Sequence, residues 1–220
     1  MMTSIHRAVG AALLCAALAW GGPAGAQQDR AGWPEPVHDD IRLGKLMIDR
    51  LEHGWGEDED TLNWEVQGWY GGDYNRLWLE GEGEDVTDGG QGGEIERLDL
   101  LYGRLIAPFW DLRAGFGYQA EYGPGPDPDR GFVVVGVSGL APQWFETDAN
   151  LRLSDDGDLS ADLELEYDLL LTQRVVLQPR LETAYAFDEV RRFGIGRGPT
   201  DVKLGLRLRY GVMRGLGPYV

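Results

Sequence analysis

Between residues 111 and 121 the side chains alternate in polarity. Leu112, Ala114, Phe116, Tyr118 and Ala120 fall on one side of a ribbon of period two, and Asp111, Arg113, Gly115, Gly117, Gln119 and Glu121 fall on the other. The same alternation recurs in Leu62–Tyr70, in Phe145–Leu153, in Leu159–Leu169 and in Val202–Tyr210. Weaker versions run through Leu77–Glu82, Glu94–Ile106 and Leu177–Tyr185, while Phe132–Gly139 is apolar on both faces apart from its glycines and Ser138. A first strand is expected over Ile41–His53, where Met47, Asp49, Leu51 and His53 share a parity. Pro179 on an apolar parity removes a ladder donor and predicts a strand end or a bulge.

Two kinds of connection separate these strands. Short turns fall near Gly72, Pro108, Pro142, Gln173 and Gly215, and acidic or Gly/Pro-rich loops fall near Asp58, Gly89, Pro126, Asp156 and Gly196. Strands of about ten residues with one apolar face, joined alternately by short turns and longer loops, are the plan of an all-β, antiparallel, up-and-down transmembrane β-barrel. Trp110, Trp144, Tyr74 and Tyr219 at the turns, with Tyr70, Tyr118, Tyr167, Tyr185 and Tyr210 near outward strand ends, fit an aromatic girdle. Ten strands are visible, and Pro218-Tyr219-Val220 starts an eleventh. An unfinished strand leaves an edge that lipid cannot satisfy. Two expectations follow: the chain is cut short from a barrel of about twelve strands, or residues 218–220 cap a ten-stranded barrel and the first strand is misassigned.

The ends and the charge narrow the setting. His6-Arg7, the apolar run Ala8–Trp20, Gly21-Gly22-Pro23 and Ala24-Gly25-Ala26 have the layout of a signal peptide over residues 1–26, which implies export through the Sec pathway. Residues 27–40 carry Trp33-Pro34-Glu35-Pro36-Val37-His38 and are expected to form an extended N-terminal arm or plug, ahead of a barrel domain over 41–220. The one cysteine, Cys15, lies within the signal, so the mature chain has no disulfide, thiolate ligand or cysteine nucleophile. Removing residues 1–26 takes Arg7 from the 20 basic residues and nothing from the 37 acidic ones, which leaves a net charge of −18. That sign disfavours nucleic acid and favours cations, or serves solubility alone. No apolar run of about 18 residues follows the signal, so membrane insertion has to use strands and outer-membrane lipid is the expected surrounding.

Several stretches resemble the copper resistance protein B (CopB) family of bacterial outer membranes. They are Trp33–Asp39, Gly71–Leu79, Ile106–Leu112, Gly139–Pro142, Leu169–Arg174 with Leu177–Arg180, and Gly205–Tyr210. The resemblance implies an outer-membrane β-barrel that assists copper tolerance by binding copper ions or aiding their passage, with a periplasmic copper protein as a further partner. The Met/His-rich segment that family members often carry after the signal is not present in Gln27–Gly32.

Copper is held by His, Met or Cys, with carboxylates as harder and weaker ligands. The candidates are therefore His38 with Asp39 and Asp40, together with Met47 and His53. The plain alternative for His38 is a polar arm residue packed on the lumen wall. Met47 and His53 lie six residues apart, roughly 20 Å along a strand, too far for one ion unless the segment bends. Met213, in a turn, is expected to fill a gap. Lumen acids Glu146, Asp148, Asp162, Glu164 and Glu166 face Arg113, Arg152, Arg180, Lys203, Arg207 and Arg209, a pattern expected of a charge ladder that fills a narrow barrel. No His and Ser stand in an H-x-S spacing, and Gly194, Gly196 and Gly198 precede no helix, so no enzymatic activity is expected. A general small porin or a purely structural outer-membrane barrel would share every one of these patterns.

Overall fold

The computed structural model describes residues 41–56, 59–88, 92–124, 127–213 and 217–219. The signal segment and the whole of the arm foreseen at 27–40, and with it His38, Asp39 and Asp40, lie outside the described residues.

The chain is built almost entirely of antiparallel strands: β1 (Leu43–Gly54), β2 (Asp60–Gly71), β3 (Asn75–Asp88), β4 (Gly93–Ala107), β5 (Trp110–Tyr122), β6 (Asp129–Ala141), β7 (Phe145–Ser154), β8 (Leu159–Glu166), β9 (Leu169–Leu170), β10 (Val175–Ala186) and β11 (Gly198–Tyr210). Each pairs with the next in a single meander, and β9 extends β8 along β10. The only helical pieces among the described residues are single 3-10 turns at Pro142–Trp144 and Arg191–Phe193. The alternation of short turns with longer loops is present as expected. Short connections lie at 72–74, 108–109 and 142–144, at one end of the sheet, and the acidic loops lie at the other. The two Pro turns hold all three non-glycine residues of positive φ among the described ones, Phe109, Gln143 and Trp144. Leu140 N–H donates to the Phe109 carbonyl at 3.0 Å, which locks the neighbouring turns together.

The polarity of the sheet is inverted relative to a water-soluble protein. Phe116 is 71 % exposed, and Leu98, Leu100, Leu112, Val133, Val135, Leu151, Leu204 and Leu206 are exposed beside it. Asp99 and Arg113 are fully buried, at 0 % and 1 %. The buried apolar cluster is small, Leu101, Phe132 and Val134 with Trp78 against it. This explains why β6 is apolar on both faces: Val133 and Val135 point outward, while Phe132 and Val134 fill the concave side. The sheet curls around that side, so Arg180 on β10 reaches Glu65 on β2 with a two-pronged hydrogen bond of 3.0 and 3.3 Å.

Backbone pairing does not close the ring. Among the described residues no ladder joins β1 to β11, and a cleft of about 750 Å³ separates their edges. Tyr219 enters this cleft. It makes an isolated antiparallel bridge with Arg209, accepts a hydrogen bond from Leu51 N–H at 3.3 Å, and lies against the Arg207 guanidinium, 5.2 Å from the ring centre. Of the eleventh strand foreseen at 218–220, the described residues 218 and 219 form a single bridge, and Val220 lies outside the described residues.

Two expectations are corrected. The first strand exists over twelve residues, but a bulge between Ile48 and Arg50 shifts its phase against β2. Asp49 and Arg50 both turn toward the concave side, where they pair with Arg207 and with Glu65 and Glu82, and the shared parity of Met47 and His53 is broken. The eighth strand, expected unbroken to Leu169, is interrupted at Tyr167 and Asp168. Its register against β10 is continuous, Arg180 opposite Glu166 and Leu177 opposite Leu169. The gap falls opposite Pro179. Tyr167 N–H donates to the Pro179 carbonyl at 3.2 Å, and the reciprocal bond is absent because proline has no N–H.

Pro179→Val supplies that donor to the Tyr167 carbonyl. The net gain is at most about 1 kcal/mol, partly offset by the freer unfolded chain. The diagnostic outcome is slower hydrogen exchange at Tyr167 and Asp168. Unchanged exchange there would show that the missing donor is not what splits β8 from β9.

Candidate functional site

The concave side is lined by carboxylates that face each other across neighbouring strands. Glu65 lies opposite Glu82, Glu80 opposite Asp99, Asp148 opposite Glu164, and Glu146 opposite Glu166. Like charges in directly opposed positions repel. The register places arginines from more distant strands between them.

Arg113 on β5 clasps Glu80 of β3 and Asp148 of β7 and lies over the Trp78 ring. Arg152 on β7 forms a bidentate pair with Asp99 of β4, at 3.0 and 2.8 Å, and bonds Asp162 of β8. Arg180 joins Glu65, Glu164, Glu166 and Glu182, at 3.0, 2.9, 3.1 and 2.6 Å. Arg50 pairs with Glu82 and Glu65, and Arg97 with Glu82 at 3.5 Å. Asn150 threads between Asp148 and Asp162, donating to both at 2.7 and 2.8 Å. Space for these large side chains comes from inward glycines. A Cβ at Gly117 would strike the Asp99 carboxylate, and one at Gly136 would strike the Asn150 amide. Planar guanidinium groups suit this task because each can serve two or more carboxylates at once.

The layer of arginines stands between two cavities. Toward the short-turn end a space of about 780 Å³ is lined by Met47, Trp78, Gln67 and Gln178, and by more carboxylates than cations, among them Asp49, Glu80, Glu146, Glu166 and Asp168. Toward the loop end a space of about 350 Å³ is bounded by Glu96, Asp158, Asp162, Asp201, Arg130 and Lys203. Lys203 of β11 bonds Glu96 of β4 at 3.2 Å and draws the rim together.

The foreseen candidates separate. Met47 faces the short-turn cavity, in the row Met47, Gln67, Glu80. His53, past the bulge, is exposed opposite Leu62. It borders the cleft between β1 and β11, with its Nε2 3.7 Å from Asp60 and its ring edge-on to Trp55. Met47 and His53 therefore do not share a site. Met213 is exposed. Among the described residues no three His, Cys, Asp or Glu side chains converge as a metal cage. The charge ladder is present: Arg113–Asp148, Arg152–Asp162 and Arg180–Glu164 join acids and bases of the foreseen sets, although the individual pairings were not foreseen. Glu65, Glu80, Glu82, Asp99, Arg50 and Arg97 were not foreseen as its members. Glu80 and Glu82 alternate with apolar residues along β3 and carried a usable signal, whereas Arg50 carried none, because only the bulge turns it inward.

An antiparallel meander with an apolar exterior and a concave side of paired charges belongs to the class of sheet that solvates charge inside and grease outside. Residues 42–220 match the family described as Copper resistance protein B precursor (CopB). The chain is 37 % identical over 186 residues to "Copper resistance protein B" of Escherichia coli. It is 33 % identical over 184 residues to "Copper resistance protein B homolog" of Pseudomonas syringae pv. tomato (strain ATCC BAA-871 / DC3000). Each match covers 84 % of this chain and 60 % of the relative. The chain belongs to the copper resistance protein B family, and it spans about 60 % of the length of these relatives.

Arg113→Met leaves Glu80 and Asp148 buried beside each other's neighbours with no shared cation. The expected loss is about 3–5 kcal/mol of folding stability, read from denaturant unfolding. A loss below about 1 kcal/mol, the scale of an exposed pair, would mean that water reaches these groups.

Proposed function

We propose that this protein is an outer-membrane β-barrel that serves copper tolerance by binding copper ions or aiding their passage across the outer membrane. Membership of the copper resistance protein B family carries the copper assignment, and the inverted polarity of the sheet carries the membrane assignment. The partners are outer-membrane lipid, copper ions and a periplasmic copper protein, and no catalytic step is involved.

Copper is the cargo here. The acid-rich cavity at the short-turn end raises the local concentration of cations by its field, and Met47 adds the only thioether on its described wall. Thioether and imidazole ligands select copper over hard divalent ions, so His38 with Asp39 and Asp40 on the arm, Met47 in the cavity and His53 at the cleft are the groups through which selectivity would enter. A specific observation favours the second reading, a general small porin or structural barrel: the lumen carboxylates are already engaged by arginines, which weakens them as metal ligands.

The two readings part on selectivity. The full-length refolded protein is expected to bind Cu(II) at least about tenfold more tightly than Zn(II) or Ca(II), in line with the affinity order of first-row ions. Met47→Leu and His38→Ala should each reduce that margin, and a deletion strain should lose copper tolerance. Equal binding of the three ions, with unchanged tolerance on deletion, would leave the porin or structural reading.

The membrane assignment has its own test at Phe116. In the bilayer-folded protein Phe116→Lys is expected to cost about 2–4 kcal/mol, as a cation near the midplane of a barrel wall does. An exposed side chain of a water-soluble protein would tolerate the change within about 0.5 kcal/mol.

A further inference from the structure

The two lumen cavities share only two of their described wall residues, Arg97 of β4 and Glu164 of β8. Anything that moves between the cavities passes these side chains. Arg97 is also the least anchored guanidinium of the layer. Arg113, Arg152 and Arg180 each hold carboxylates from two or more strands. Among the described residues Arg97 has one ion pair, with Glu82 at 3.5 Å; its Nε is buried without a hydrogen-bond partner, as are those of Arg50 and Arg113. Its position comes from an irregularity: the register of β4 against β5 shifts between Ile95 and Leu98, and such a bulge re-aims a side chain. Glu82 keeps Arg50 as a second partner, so the layer does not depend on Arg97 for its neutrality.

We propose that Arg97 is the barrier between the two halves of the lumen and sets how readily cations cross it. The acid-rich cavity below gathers cations. The Arg97 charge repels them where the walls of the two cavities meet. This rests on the membrane-barrel assignment made above.

The test is conductance of the full-length chain refolded into planar bilayers of phosphatidylcholine and phosphatidylglycerol in potassium chloride, with insertion checked by protease protection in liposomes of the same lipids. Arg97→Gln and Arg97→Ala should raise conductance by on the order of tenfold or more, the scale of lifting one unit-charge repulsion at close range. Both should also move the reversal potential toward that of potassium. Arg97→Lys retains the charge and should conduct like wild type, as should Arg191→Gln, whose side chain is exposed in the 187–197 loop. Inserted Arg97→Gln and Arg97→Ala proteins that conduct like wild type would overturn the barrier while leaving the barrel standing. A chain that does not insert would overturn both.

Discussion

Rows of opposed carboxylates make this sheet unstable on its own and define what the rest of the structure has to do. Carboxylates sit directly across from one another on neighbouring strands, among them Glu65 and Glu82, Glu80 and Asp99, Asp148 and Glu164, and Glu164 and Glu182, where like charges repel. The repulsion is relieved by guanidinium groups, some from the adjacent strand, as Arg50 and Arg97, and some from strands farther along the meander. Arg113 ties β5 to β3 and β7, Arg152 ties β7 to β4 and β8, and Arg180 ties β10 to β2 and β8. Each such bond shortens the path across the concave side. The curl of the sheet, the inward glycines at 117 and 136, and the division of the lumen into two spaces follow from accommodating these side chains.

The same arrangement bears on copper. A carboxylate clasped by arginine is a poor metal ligand, because coordination would have to displace a charge-assisted hydrogen bond and strand the guanidinium. The lumen acids serve better as a field than as a cage. The softer groups that copper prefers are few among the described residues. Met47 stands alone among acids, and His53 sits outside the ring with Asp60 and Trp55.

The unpaired edges of β1 and β11 are the other unsettled place in the sheet. Edge N–H and C=O groups have no partner in hydrocarbon. Tyr219 meets part of this need, with one backbone bridge to Arg209 and one phenol contact to Leu51. Arg207 spans the same cleft to Asp49 at 3.6 Å. The side chains across the cleft are therefore matched even where the backbone is not.

Strand period, turn chemistry and inverted polarity were legible in the residue order, since each is a local property repeated along the chain. Most of the long strands, the alternation of short turns and acidic loops, and the outward row from Leu112 to Tyr118 stood in the residue order, whereas the first strand was poorly patterned and the sixth apolar on both faces. Pro179 was expected to end or bulge its own strand, yet β10 runs through it in register, and the interruption falls on the partner strand instead. Three matters needed the tertiary structure. The bulge at Ile48–Arg50 turned Arg50 inward and separated Met47 from His53, because phase after a bulge is set by pairing with β2. The choice of carboxylate for each arginine depended on which strands the curl brings face to face. Arg97 became the meeting point of two cavities for the same reason: a passage is defined by what surrounds it, and its walls come from strands far apart in the chain.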